Sequence, residues 1–410
     1  MANTFETPRA VLKDVMRVAT NQLKFAANIE RWYDDKYKVG GAKAGYTVNG
    51  RLPQRFRTTK GQAFQAQPIN DQVVPVTLTD QANIATSWST ADATMVIEDV
   101  RRRYIHPAAE QLANTIDYDG LNRLTPTVWK SEGTPGVPPT SRATFLNAGA
   151  RLTKVAVPLD GRVATLDPTA MVGLVQDTLT LFNPSAAISE NYRSGQFGRN
   201  ALGVSEWYQD QNIYTHTTGS FASSTPLVFG ANQTGTSLIT NGWVTATLNK
   251  GDVFTVAGVY EVNPQNYGTT GKLQQFVVTQ TVSDTAGSMT IPIAPAIIPD
   301  GNLQTVTASP ANGAALIPLG STITTGAGTM AATSSPQSLI FHPEAFVLAM
   351  ADLDAELPGA EVSRISDNEL NMSLRYVRQY HIGTDQKMAR IDALYGFKDF
   401  RPDWAVRIWG

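Results

Sequence analysis

The chain contains no cysteine, which excludes disulfides, thiolate metal ligands and a cysteine nucleophile. It has no arginine from Asn200 to Ser363, although both flanks are well supplied with it. Between His216 and Ser335 the charged side chains are only Lys250, Asp252, Glu261, Lys272, Asp284 and Asp300. No apolar run reaches the length of a membrane span, and the longest, near residues 292–299, is broken by prolines. The opening residues lack the basic and apolar regions of a secretory signal, so a soluble chain with no membrane partner is expected. An excess of either charge is also missing: 33 basic against 35 acidic residues leave a net charge of -2. That balance argues against broad, tight binding to a polyanion, which depends on counterion release. The phosphate-cradling GxxxxGKS/T and GxGxxG patterns, the zinc-binding HExxH and the nucleophile-elbow GxSxG are absent from the sequence as well.

What is present is a globular composition, 42% hydrophobic and 17% charged over 410 residues, enough chain for more than one domain. The charge-poor block is rich in Thr, Val, Ser, Gly and Asn. Residues 243–248, 253–259, 275–282 and 288–293 read there as short strands, with Lys250-Gly251, Gly268 and Gly287 as turns. Strands at such spacing favour a small barrel or sandwich over an open sheet with exposed edges. Helical patterns and charge on both sides make the block look like one module inserted into another.

The flanks read as a mixed α+β body. Residues 8–33 have the spacing of an amphipathic helix, packed on its own core or on a neighbouring subunit. Residues 37–75 spread Lys38, Lys43, Arg51, Arg55, Arg57 and Lys60 among glycines, the pattern of a long basic hairpin with little core of its own, which needs another surface to lie on. Residues 92–124 form the strongest helical pattern, with a bend expected at Pro107. Arg101, Arg102 and Arg103 point in three directions on such a helix and are balanced by Glu98, Asp99 and Glu110, so a solvated face ranks ahead of subunit contact, and DNA contact comes third. A Gly/Pro loop spans 127–140, a second helix starts at Thr140 or Ser141, a strand covers 162–166, and Asp167-Pro168 opens a third helix. A strand at 338–341 is followed by His342-Pro343-Glu344, which is expected to open a helix reaching about Leu353. Residues 372–410 are strand-like and charged.

The search for chemistry finds little. His106, His216, His342 and His381 are widely separated in sequence. Asp352, Asp354 and Glu356 alternate, but the glycine of a calcium-binding loop is missing, so they read as acidic decoration of a helix end. No catalytic, metal or cofactor site is expected. A hydrolase would have to draw on Asp352, Asp354 and His342, and a fibre or adhesin would use the β-rich block to bind a receptor, although no repeat or trimeric coiled coil is visible.

Four stretches carry a resemblance to a known family: Ile105–Ala113, Lys250–Val259, Ile340–Phe346 and Arg390–Phe397. In this order the chain resembles the major capsid proteins of tailed double-stranded DNA bacteriophages, in the podovirus-type branch whose coat carries an inserted β-barrel. The resemblance implies an arm helix at 1–35, an extended hairpin loop at 36–80, and a spine helix with peripheral domain at 81–165. It further implies a first axial segment at 166–222, an inserted β-barrel at 223–335, an axial return at 336–364 and closing peripheral strands at 365–410. It also implies pentamers and hexamers of an icosahedral shell, a scaffolding protein, a portal protein at one vertex, and packaged DNA held only non-specifically. Arg51, Arg55, Arg57, Lys60, Arg101, Arg102 and Arg103 are then the candidate inter-subunit contacts. One branch of that fold joins subunits by a Lys–Asn isopeptide bond, for which Lys43 or Lys60 and Asn147 or Asn371 are the available residues. The resemblance here is to the uncrosslinked branch.

Overall fold

The computed structural model describes residues 15–16, 23–33, 47–58, 60–61, 66–67, 69, 71–89, 106–179, 201–324, 326–354, 357–367 and 372–410. The chain forms two compact units, one from residues 1–52, 73–120 and 346–400 and the other from 53–72, 121–345 and 401–410. Among the described residues the structure is mixed and mostly sheet, with α-helices at His106–Leu124, Arg142–Lys154 and Pro168–Leu179.

The first unit is built on the strand Gln386–Asp399. Along one side it pairs with Met372–His381 and then with Phe346–Ala351, and along the other with Asp80–Ser89, all antiparallel. Glu30–Tyr33 joins Phe346–Ala351 in parallel, and Thr47–Arg51 pairs antiparallel with Val73–Thr77. Two expectations fail here. Residues 24–28 are turn and bend and Glu30–Tyr33 is a strand, so the helix read over 8–33 does not reach its C-terminal part. The helix expected after His342 is a single 3-10 turn, Pro343–Ala345, followed by the strand Phe346–Ala351. Every side chain of that strand is buried. A continuous apolar run covered on both faces has no period to read, so a buried strand and a helix look alike in sequence.

The helix His106–Leu124 buries Ala109, Leu112, Ala113, Ile116, Asp117 and Leu121, the i, i+3, i+4 stripe of an amphipathic helix. Asp117 is its one buried charge, and it receives the backbone N–H groups of Lys24 at 2.7 Å, Phe25 at 3.3 Å and Ala26 at 2.8 Å. A carboxylate accepting successive amides organises a turn as an N-cap does. Pro107 stands in the first turn of the described helix. Residues 90–105, where the helix was expected to begin and where Arg101, Arg102 and Arg103 fall, lie outside the described residues.

The second unit holds a sheet in the order Ser131–Glu132, Ala405–Trp409, Ser334–Phe341, Val163–Leu166, Glu206–Gln209. Both expected helices of this region are present. Ser141 Oγ accepts from Ala143 N at 3.2 Å and Asp167 Oδ2 from Thr169 N at 2.9 Å, each capping the helix that follows. Phe145, Leu152, Leu166, Met171, Trp207, Ile340 and Val406 make the core under them. Near the other end of the first of these helices, the buried Arg162 donates to the carbonyls of Gly149 in the helix and Val157 beyond it, tying the helix to the segment that follows.

The β-rich block begins and ends at one place. Thr217 and Ser334 are partners in a short antiparallel pair, and Thr218 N donates to Thr333 O at 3.0 Å. Inside, six strands follow the order Leu227–Val228, Gly235–Asn241, Ser288–Ile297, Thr269–Val278, Val253–Val262, Leu316–Pro318. The last returns to the first, because Val228 N donates to Ala314 O at 2.9 Å and Leu316 N to Pro226 O at 3.0 Å. The interior holds Val228, Leu238, Phe254, Phe276, Ile291 and Leu316, with Phe221 and Trp243 packed edge to face. Two strand readings shift. In 243–248 only Thr247–Leu248 is strand, since Trp243 turns into the core and Thr245 takes a positive φ. The strand read at 275–282 runs instead from Thr269 to Val278. Its polar N-terminal half has partners in the surrounding body that no local pattern reveals.

Candidate functional site

Those partners form a seam between the β-rich block and the body that carries it. Lys130 and Glu261, both buried, stand 3.7 Å apart, and Lys130 Nζ also donates to Asp403 O at 2.6 Å. Burial pushes the Lys130 amine below its ordinary range, against the opposing pull of Glu261. Ser131 N donates to Gln275 Oε1 at 2.7 Å, and Gln275 Nε2 returns a bond to Ser131 O at 3.0 Å. Glu132 accepts from Arg151 at 3.1 Å and from Lys272 at 2.8 Å. The body thus presents a two-residue strand, Ser131–Glu132, and the block binds the backbone of Ser131 and the side chain of Glu132.

A second cluster sits at the neck. His216 Nε2 lies 2.8 Å from Asp252 Oδ1, while Asp252 Oδ2 accepts from Gly219 N and Asn249 N. A Cβ at position 219 would stand 2.1 Å from Thr247 O, so the chain passes here only as glycine. Gly251, at φ +99°, turns its carbonyl toward Arg407 Nη2 at 2.9 Å. Arg407 is fully buried, donates also to Gln337 at 2.8 Å, and has its pKa lowered by burial to about 10. Beside it Trp409, wholly buried, meets Val253 and Val277 of the block and His216 edge-on at 5.4 Å. The arrangement fixes one module on another. Among the described residues no group of acidic and histidine side chains is placed to hold a metal.

The other candidates lie as follows. Arg55 pairs with Asp403 at 3.3 Å, and Arg57 with Asp300 at 3.3 Å. Arg51 lies on the strand Thr47–Arg51 opposite Val73, and Lys60 is exposed. Asn147 is exposed on its helix, whereas Lys43, Asn371 and Glu356 lie outside the described residues. Asp352 is bound by Arg364 and Ser373, and the backbone carbonyl of Asp354 accepts from Arg375. His342 packs edge-on against Trp404, and its Nδ1 accepts from Glu344 N. These contacts give Asp352 and His342 structural roles.

Sequence reasoning missed Lys130, Asp252, Glu261 and Arg407 as a group. The signal available was the scarcity of charge in the block: when six charged residues serve so long a stretch, the buried ones among them need specific partners.

Residues 231–410 match the family model described as P22 coat protein, gene protein 5, somewhat under half of the chain. No curated protein sequence matches the chain. Solved structures similar to it include Mycobacterium phage Che8, at 16% identity over 94% of this chain and 90% of that one, with a TM-score of 0.45. The capsid of cyanophage P-SCSP1u is similar at 13% identity over 94% and 88%, with a TM-score of 0.44. The CUS-3 coat protein I-domain matches at 23% identity over 24% of this chain and 96% of that one, with a TM-score of 0.19. Overlaps this loose carry no argument by themselves. The family match takes in most of the β-rich block, its partners in the seam from Asp252 to Arg407, and the closing strands, so residues 231–410 are similar to a bacteriophage coat protein.

Proposed function

We propose that the protein assembles, on a scaffolding protein, into the icosahedral shell that encloses the double-stranded DNA genome of a tailed phage. In this reading the shell consists of pentamers and hexamers, has a portal protein at one vertex, contacts DNA only non-specifically, and forms in the host cytoplasm. The β-rich block is an inserted barrel at 223–335, carried by an axial domain at 166–222 and 336–364. The hairpin at 36–80 has its arms 36–52 and 73–80 in the first unit and residues 53–72 in the second, and the peripheral strands at 365–410 belong to the first unit as far as residue 400. Arg51, Lys60 and Arg101 to Arg103 belong to surfaces between subunits in this reading, whereas Arg55 and Arg57, expected there as well, are engaged within the chain by Asp403 and Asp300.

The observation that supports this best is the seam itself. A wall subunit must move as a unit while carrying a large insertion, and buried ion pairs with a tryptophan plug join the insertion to its host over several points instead of one flexible neck. The near-neutral charge fits a container whose contents must slide in and later leave. Electron microscopy of the full chain, expressed with and without a co-encoded candidate scaffolding protein, tests the reading. Uniform closed particles that depend on the second protein are expected. A discrete monomer or trimer under every condition would overturn the proposal.

A further inference from the structure

Arg57 is held on three sides by the β-rich block. Its guanidinium lies 4.3 Å over the ring of Tyr267, Nη1 donates to Asp300 Oδ1 at 3.3 Å, and Nη2 donates to Gln304 Oε1. The three partners are themselves fixed: Tyr267 OH donates to Asn302 O at 3.0 Å, Gln304 Nε2 to Val306 O at 3.0 Å, and Asp300 Oδ1 accepts from Gly301 N at 2.7 Å. A planar cation that stacks on one face and donates from two nitrogens matches this arrangement, and a lysine ammonium does not.

Among the described residues of the segment that carries Arg57, Arg55 is paired with Asp403 at 3.3 Å, and the larger apolar side chains are exposed. Phe56 is 61% exposed and Ile69 78% exposed, so neither contributes a core to the loop. Adjacent residues of an extended segment point to opposite sides, and burial alternates accordingly, with Arg57 toward the block and Phe56 away from it. The two arms of the loop are tied together where the block is met. Arg57 N donates to Gln67 Oε1 at 2.9 Å, Gln67 Nε2 donates to Arg57 O, and Asn302 Nδ2 reaches Gln67 Oε1 at 3.3 Å. Asp300 is 88% exposed, so its ion pair alone is weak. Stacking and the fork of donors make the contact specific.

We propose that Tyr267, Asp300 and Gln304 form a guanidinium-binding site through which the β-rich block latches the segment around Arg57 and Gln67 of its own chain, and that this latch sets how often that segment leaves the block. It joins two parts of the coat subunit that lie more than 200 residues apart in sequence, and it acts before any shell contact is made.

The test is limited trypsinolysis of the unassembled full chain, with mass spectrometry following cleavage between Lys60 and Gly61. Asp300→Ala with Gln304→Ala removes both hydrogen-bond acceptors from Arg57 and leaves the loop sequence and the Arg55–Asp403 pair untouched. Cleavage about tenfold faster is expected, a factor equivalent to ~1.4 kcal/mol, because cleavage follows the open population when closing is fast. Arg57→Lys keeps the charge and leaves the block unaltered, and it should also accelerate cleavage because lysine lacks the fork. Rates within about twofold of wild type in both variants, with unchanged thermal melting, would overturn the latch. If the double variant melts early, Arg57→Lys decides the question alone.

Discussion

Lys130 Nζ lies 3.7 Å from Glu261 Oε1, with both side chains shielded from solvent and each supplied by a different part of the second unit. The pair is bound further on both sides, Lys130 by Asp403 O and Glu261 by Thr270 Oγ1 at 3.2 Å. Desolvation offsets much of the attraction in such a pair, so its main effect is to make one docking arrangement far better than any other.

Removing one member should therefore cost more than removing both. Glu261→Leu or Lys130→Met alone leaves an uncompensated buried charge and is expected to destabilise the subunit by about 3–5 kcal/mol. Lys130→Met with Glu261→Leu should recover most of that loss. Urea denaturation of the four proteins measures the difference, and additive losses in the double variant would show that the residues act separately.

Deleting residues 224–334 strips the cover from Arg407 and Trp409, and from Trp129, which packs in the same cluster as Val253 and Val277. The truncated subunit is expected to aggregate or to form irregular particles. Soluble yield and electron microscopy provide the readout, and normal shells from the truncated chain would remove the block from any supporting role.

Asp117 should be as costly to lose as a core side chain. Asp117→Ala leaves three amides without their acceptor, and charge-assisted bonds contribute about 1.5–3 kcal/mol each before compensation by water. A net loss of roughly 2–4 kcal/mol is expected, with Asp117→Asn milder. Hydrogen exchange at Lys24, Phe25 and Ala26 should rise first.

His342 makes stability fall in acid. Burial lowers its pKa from the ordinary 6.5, outweighing the favourable Glu344. Below about pH 6.5 the unfolded chain therefore holds a proton that the folded chain refuses. The contribution is fully present above that value and declines as pH drops toward the lower folded pKa. His342→Asn should flatten the change in urea midpoint between pH 7.5 and 5.5, and an unchanged slope would place the acid sensitivity elsewhere.

Sequence alone determined the elements whose signals are local. Ser141 and Asp167 announce their helices because a side-chain cap bonds to amides two residues on. The β-rich block was visible from charge scarcity and turn residues, and the four family stretches pointed to a capsid protein. Tertiary structure decided the rest. Phe346–Ala351 is a strand because sheet partners cover an apolar run that has no period of its own. Thr269–Val278 is a strand in spite of its polar start because Glu132 and Ser131 receive Lys272 and Gln275. Arg407 and Asp252, like Lys130 and Glu261, are far apart in the chain and carry no local pattern. A buried charge has meaning only through the partner that the fold brings to it, and that pairing exists only once the chain has closed.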